Sequence, residues 1–190
     1  MRTWILEYWP LITRIVLGAF LFACAWIYLS LPWGALWLPT PWRVVVEMLR
    51  RAGVQPGERV VDLGAGDGRI VIAAALLFKA EAVGVEIDPL RCLIANTLIL
   101  LLGLRKRAHV CYGNMYEFDL TGADLVTLYL WPSTNQRLRS RLIEQLRPGA
   151  RVASYKFAFY GWTPVNATQG RRRDILIYEM GVSEPSIWTA

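Results

Sequence analysis

Apolar and polar positions divide this chain into two regions of different character. No charged residue stands between Arg14 and Arg43, and the apolar run there is nearly continuous. Beyond Arg43, short apolar stretches alternate with longer amphipathic ones, punctuated by Gly and Pro. Arg59–Leu63, Ala82–Glu86, His109–Tyr112, Leu125–Leu130 and Arg151–Phe157 read as strands, and Ile175–Met180 as a late antiparallel one. Between them, helices are expected from Pro41 to Gly53, from Asp67 or Gly68 to Phe78, and from Pro89 to about Leu102, where Gly103 stops the last. Another is expected from a Ser133 or Thr134 cap to Arg147, where Pro148-Gly149 ends it. Gly161 to Gly170 reads as a strand plus loop. Strands alternating with helices predict an α/β sheet with helices on both faces.

The first region predicts a membrane span. Helix from Pro10 to Leu31 would cover roughly 33 Å, enough for the hydrocarbon core. Trp4, Trp9, Trp33, Trp37 and Trp42 gather at its two ends like interfacial belts, and Arg14 can snorkel. Pro32 and Gly34 then break the helix, and Leu36-Trp37-Leu38 is expected along the headgroup boundary. A signal peptide cleaved near Ala23-Cys24-Ala25 and a buried core helix are competing readings. Arg43, Arg50 and Arg51 beyond the span place the C-terminal domain in the cytoplasm by the positive-inside rule. The expected organisation is therefore an anchor and interfacial linker over residues 1–39 and one domain over 40–190, joined through Pro39-Thr40-Pro41.

Charge and cysteine content narrow the partners. A net charge of +6 suits an anionic surface such as acidic lipid headgroups or nucleic acid. Arg137, Arg139, Arg141 and Arg147 make one helix basic, and Arg171-Arg172-Arg173 adds a loop patch. No nucleic-acid module accompanies them, which argues against nucleic acid. The three cysteines, Cys24, Cys92 and Cys111, form no CxxC, so neither a metal site nor a disulfide framework is expected.

The chemistry concentrates at Val60-Val61-Asp62-Leu63-Gly64-Ala65-Gly66-Asp67-Gly68-Arg69, where an apolar strand runs into a glycine-rich turn and then a helix. Gly64, Gly66 and Gly68 permit positive φ and close approach of a ligand, and the helix N-terminus offers free N–H donors. The spacing is GxGxG, whereas dinucleotide binders favour GxGxxG. Asp62 inside the strand suits a ligand bearing an ammonium, such as the methionine part of S-adenosylmethionine, and would suit a pyrophosphate badly. Glu86, ending the second strand, can accept both ribose hydroxyl protons. After the third strand, Asn114 has donor and acceptor groups to read an adenine edge, with Met115 packing on the ring.

These residues resemble class I S-adenosylmethionine-dependent methyltransferases over residues 40 to about 180. The Pro-Thr-Pro lead-in, the Asp62–Arg69 turn and the apolar span in front look like the membrane-tethered protein-lysine methyltransferases that include the ATP synthase c-subunit lysine methyltransferase. The resemblance implies a Rossmann-like domain and Asp62, Gly64, Gly66 and Glu86 as cofactor residues, with Asp67 and Gly68 completing the turn. It also implies a lysine acceptor, and the anchor, the nucleoside motif and the aromatic segment after strand four point to a membrane-associated protein as its carrier.

A sulfonium methyl is already activated, so the enzyme has mainly to align the reactants and exclude water. A lysine acceptor must lose a proton first, which an apolar pocket favours. The acceptor pocket is expected after strand four, at Tyr129, Trp131 and Ser133, where aromatic faces can guide a cationic amine. Tyr155, Lys156 and Phe157, with Trp162, are candidates for its rim. Many enzymes that methylate base amino groups carry Asp/Asn-Pro-Pro-aromatic at this place, and Trp131-Pro132-Ser133 departs from it. His109 starts a strand remote from the site and is expected to be structural. Methylation of a lipid or quinone headgroup, a catalytically idle cofactor-binding module and an NAD-linked oxidoreductase are the alternatives.

Overall fold

The computed structural model describes residues 8–18, 21, 38–167 and 175–183. The chain separates into two compact units, Met1–Leu38 and Pro39–Ala190. In the first, residues 8–18 and 21 are helical and exposed. Among the described residues no helix is long and apolar enough to cross a membrane. This overturns the single-pass, cytoplasm-facing placement expected from Pro10–Leu31. The continuous described helix, residues 8–18, amounts to about 17 Å at the α-helical rise, well short of a ~30 Å hydrocarbon core. The rest of the expected span, residues 19, 20 and 22–31, lies outside the described residues. So do Trp4, Trp33 and Trp37 of the expected belts, and the Arg171–Arg173 patch.

The second unit is an α/β sandwich. In chain order it comprises α1 (Trp42–Arg51), β1 (Arg59–Leu63), α2 (Arg69–Leu77), β2 (Glu81–Glu86), α3 (Pro89–Leu101), β3 (Ala108–Tyr112) and β4 (Leu125–Leu128). α4 (Pro132–Gln145), β5 (Arg151–Tyr155), β6 (Asn166–Ala167) and β7 (Ile175–Glu179) follow. The described strands form one mixed sheet ordered β3-β2-β1-β4-β5-β7-β6. β1 to β5 are parallel, while β7 runs antiparallel to both β5 and β6. The chain therefore winds outward in both directions from β1, whose neighbours are β2 and β4. Ligands bind beyond the carboxyl ends of strands at such a reversal point.

Side-chain alternation along the strands builds two cores. Val60, Ala82, Val110 and Leu125 face one side with α1, α2 and α3, and α2 is buried along Ile70–Ala75. Val61, Leu63, Val85, Val126 and Val152 face the other with Leu138 and Leu142 of α4. Burial on both faces is why these strands read as continuous apolar runs.

Several boundaries differ from expectation: β4 ends at Leu128 and α4 at Gln145, each short of the expected end, and two further differences lie where the backbone turns. β5 stops at Tyr155 because Lys156 adopts a left-handed φ of 68°. α4 begins at Pro132, with Trp131 in the cap position and no side-chain cap bond, so neither Ser133 nor Thr134 caps it. Proline at the first helical position supplies the required φ and lacks an N–H that would go unpaired there.

Candidate functional site

The glycine turn sits at the carboxyl end of β1, over the reversal point. Gly64, Gly66 and Gly68 have φ of 80°, 56° and 76°, the left-handed region that other residues enter only at a cost. Gly64 and Ala65 each donate a backbone hydrogen bond to the Val85 carbonyl, at 2.9 and 3.0 Å, which pins the turn onto β2. Gly84, inside β2, makes that approach possible: a Cβ there would stand 2.5 Å from the Ala65 Cβ. Gly84 is not among the residues expected at the site, although a glycine inside a strand is itself a signal of close backbone approach. Gly68 plays the same part against α3, where an added Cβ would lie 2.9 Å from that of Ala95.

Two carboxylates flank the turn. Asp62 is 2% exposed and accepts a 2.7 Å hydrogen bond from the Thr127 hydroxyl, with no cation in ion-pair contact among the described residues. Burial pushes its carboxyl up to about 7, the charges of Glu86 and Asp67 add to the rise, and the Thr127 hydrogen bond opposes it. A buried acid lacking a cation has the acceptor chemistry that an ammonium ligand would complete. Glu86 is also buried, but it is well supplied: it accepts from the Gly66 amide at 2.8 Å and from those of Ile87 and Asp88 at 3.0 Å. Arg91 stands 3.8 Å away. The acid is thus fixed at the lip of the turn.

The other expected cofactor residues are placed less simply. Asp67 faces its neighbour Arg69: the Arg69 Nε donates to Asp67 Oδ1 at 2.8 Å, and its Nη2 forms a second, shorter contact with Oδ2. The same guanidinium donates to the Thr40 carbonyl at 2.7 Å, tying the Pro-Thr-Pro lead-in to the turn. Asp67 thereby holds the turn's framework. Asn114 lies beside Glu86, because the Gly113 amide donates to the Glu86 carbonyl at 2.9 Å. Its side chain folds locally, accepting from the Tyr116 amide at 3.1 Å and donating to Glu117 at 2.7 Å. Met115 is partly buried against the second core.

Beyond β4 the chain forms an aromatic wall. Leu130 reaches the turn, and a Cβ on Gly64 would meet its Cδ2 at 3.2 Å. Tyr129 packs on Tyr155 with ring centres 4.7 Å apart and stacks on Phe157 at 6.2 Å, and Trp131 stacks on Phe157 at 5.7 Å. Trp131 is 47% exposed. The Phe157 amide donates to the Tyr155 carbonyl at 3.0 Å, so Lys156 is the central residue of a three-residue turn. The Lys156 ammonium lies 5.8 Å from the Tyr129 ring centre and 5.6 Å from that of Tyr155. Asn135 of α4 fastens this turn by donating to the Phe157 carbonyl at 3.1 Å, as does the Ser154 hydroxyl at 2.5 Å. Asn135 is fully buried, and its Oδ1 has no hydrogen-bond partner among the described residues.

Ser133 lies exposed on the first turn of α4, outside the aromatic stack. Trp162, a candidate for the rim, instead belongs to the core: it is buried, stacked on Phe159 and set edge-on to Tyr178. Three of the four arginines expected on the basic helix contact other groups of the domain, and Arg147 lies past the end of α4. Arg137 lies 4.0 Å over the Tyr116 ring, Arg141 donates to the Phe118 carbonyl, and Arg147 pairs with Asp124 at 2.6 Å. No group of residues suited to a metal ion occurs among the described residues.

Residues 62–166, which hold the turn, both carboxylates and the aromatic wall, match the family described as ANTKMT methyltransferase domain. A protein-lysine N-methyltransferase of Saccharolobus islandicus is 43% identical over 129 residues, covering 67% of this chain and 80% of the relative. An adenine nucleotide translocase lysine N-methyltransferase of Mus musculus is 34% identical, covering 76% of this chain but only 63% of its own length. An ATP synthase c-subunit lysine N-methyltransferase of the same species is 32% identical, covering 72% of this chain and 53% of its own length. Among solved structures, an RNA methyltransferase of Salinibacter ruber in complex with S-adenosyl-L-homocysteine aligns with a TM-score of 0.76 and 38% identity, over 78% of this chain and 97% of its own.

Proposed function

Since the chain belongs to the ANTKMT methyltransferase domain family, within the class I S-adenosylmethionine-dependent methyltransferases, we propose that it methylates lysine side chains of proteins. The observation that carries the acceptor class is the aromatic wall, which already holds an ammonium: that of Lys156, above Tyr129 and Tyr155. Aromatic faces attract cations through the ring quadrupole. The names of the archaeal and mouse relatives support the same class. The two mouse names extend the reading to acceptors such as adenine nucleotide translocase or the c-subunit of ATP synthase.

S-Adenosylmethionine supplies a methyl on a sulfonium, so that a nitrogen–carbon bond forms as the sulfur–carbon bond breaks and a neutral thioether leaves. Asp62 receives the ligand's ammonium and Glu86 the ribose hydroxyls, while Gly64, Gly66 and Gly68 let the ligand lie against the backbone. Met115 and Asn114 border the adenine. Tyr129, Trp131 and Phe157 receive the acceptor side chain and shield it from water. Desolvation there lowers the pKa of the amine from its ordinary value near 10.4, and the freed proton passes to solvent. Ser133, exposed on α4, is left no part in the transfer.

Purified protein incubated with S-adenosylmethionine carrying a labelled methyl tests this. Offered a lysine-rich protein, RNA and lipid vesicles in parallel, it should label the protein alone, as methyl-lysine on hydrolysis. RNA is the instructive control, given how the Salinibacter relative is described. Label confined to RNA or lipid would refute the lysine assignment, and cofactor binding without transfer to any acceptor would indicate a binding module.

A further inference from the structure

Helix α3 is apolar on the side that faces away from the protein. Cys92, Ala95 and Ile99 point into the core. The opposite stripe, Leu90, Leu93, Ile94 and Leu101, is exposed, reaching 76% at Leu101, and Thr97 is its single hydroxyl. Leu98 and Leu100 widen the stripe on either flank. A surface helix ordinarily turns polar residues outward, and an apolar patch of this length marks a contact surface.

Its surroundings say what covers it. Three consecutive exposed cations, Arg105, Lys106 and Arg107, follow the helix, and none makes an ion pair among the described residues. Between α3 and the edge strand β3 lies an open cavity of about 340 Å³ lined by Thr97, Leu100, Arg105 and His109, among others. It places a guanidinium and an imidazole beside the apolar stripe. An apolar helix face with basic groups at its border is the composition of a segment lying in the headgroup boundary of a bilayer.

We propose that α3 docks this domain on the surface of an anionic phospholipid bilayer without crossing it. The leucine stripe enters the acyl boundary, while Arg105, Lys106 and Arg107 meet lipid phosphates and the Thr97–His109 cavity admits a headgroup. The cap of α3, Asp88, is two residues from Glu86, so docking along this helix sets the cofactor turn close above the lipid. This inference rests on the surface of α3 and stands or falls apart from the acceptor assignment.

The test uses the full chain with a solvatochromic fluorophore on Ile94→Cys, exposed on the stripe and outside the cavity, in a Cys24→Ser/Cys111→Ser background that keeps only the buried Cys92. The label reads the α3 face alone, whatever other segments do with lipid. Vesicles of phosphatidylcholine with phosphatidylglycerol should shift its emission to the blue, with quenching by lipids brominated high in the acyl chain. Phosphatidylcholine alone should act far more weakly. Leu93→Gln with Leu101→Gln should raise the lipid concentration for half-shift at least tenfold, and Arg105→Gln with Lys106→Gln roughly fivefold per cation. All four positions are exposed, and circular dichroism checks that the variants remain folded. An emission unmoved by anionic vesicles overturns the proposal. So does a label already blue-shifted without lipid, which would mean cover from within the protein, or one that shifts with protein concentration, which would mean a second copy.

Discussion

Thr127 stands directly across from Asp62 in the β1–β4 register and donates its hydroxyl to the Asp62 carboxylate at 2.7 Å. It is the one polar group in a four-residue strand that is otherwise apolar, and it meets the one acid inside β1.

With the Asp62 carboxyl raised to about 7 by burial, cofactor binding should depend on pH near neutrality. The carboxylate form attracts the ligand's ammonium, so affinity should fall as pH drops below about 7. Thr127→Val removes the opposing hydrogen bond, should move that midpoint upward, and Asp62→Asn should flatten the curve. Calorimetry with S-adenosylmethionine between pH 6 and pH 8 reads all three. Stability of the ligand-free protein has the opposite trend. The unfolded chain loses the Asp62 proton near its ordinary value of 3.8 while the folded chain keeps it, so this group's contribution falls as pH climbs from about 4 to about 7, then levels off.

Gly84→Ala should be costly although the site is a plain strand position. Its new methyl would lie 2.5 Å from Ala65 and 3.0 Å from Val71, an overpacking worth about 1–3 kcal/mol. Because Ala65 belongs to the cofactor turn, affinity for S-adenosylmethionine should fall along with the melting temperature. A stable variant with unaltered affinity would contradict the packing argument.

Asp67 and Arg69 should behave as one structural unit. Asp67→Asn and Arg69→Gln are each expected to destabilise by about 1 kcal/mol, and the double variant by less than the sum, as for groups sharing one contact. Urea titration of the four proteins closes the cycle. A strictly additive double variant, with cofactor affinity lost in Asp67→Asn alone, would return Asp67 to direct ligand contact.

Phe157→Leu removes the ring that both Tyr129 and Trp131 stack on. Such pairs are worth about 0.5–1.5 kcal/mol each, so KM for a protein acceptor should rise several-fold while cofactor affinity holds. Steady-state methylation and calorimetry separate the two effects.

The parts of this molecule governed by local chemistry were legible in the chain. A buried strand, three glycines and an acid at the end of the next strand specify the turn whatever surrounds them. The parts set by partners distant in sequence were not. Trp162 reads as a rim residue until Phe159 and Tyr178 enclose it. Asn114 is an exception of local origin: it offers both halves of an amide, yet its near neighbours Tyr116 and Glu117 engage them. Lys156 gives no local sign of a left-handed backbone, since the turn is fastened by Asn135 from α4 as well as by the nearby Ser154. The span expected before residue 43 follows from uncharged apolar length and tryptophans at both ends, yet among the described residues no helix is long and apolar enough to make one.

The guanidinium of Arg69 touches both the cofactor turn, through Asp67, and the lead-in backbone, through the Thr40 carbonyl. Couplings of this kind work in both directions. A ligand that stills the turn will shield residues 38–41 from a protease, and a tug or a cut at those residues will loosen the grip on the ligand. The lead-in and the cofactor turn are therefore expected to respond together, since one guanidinium is shared between them.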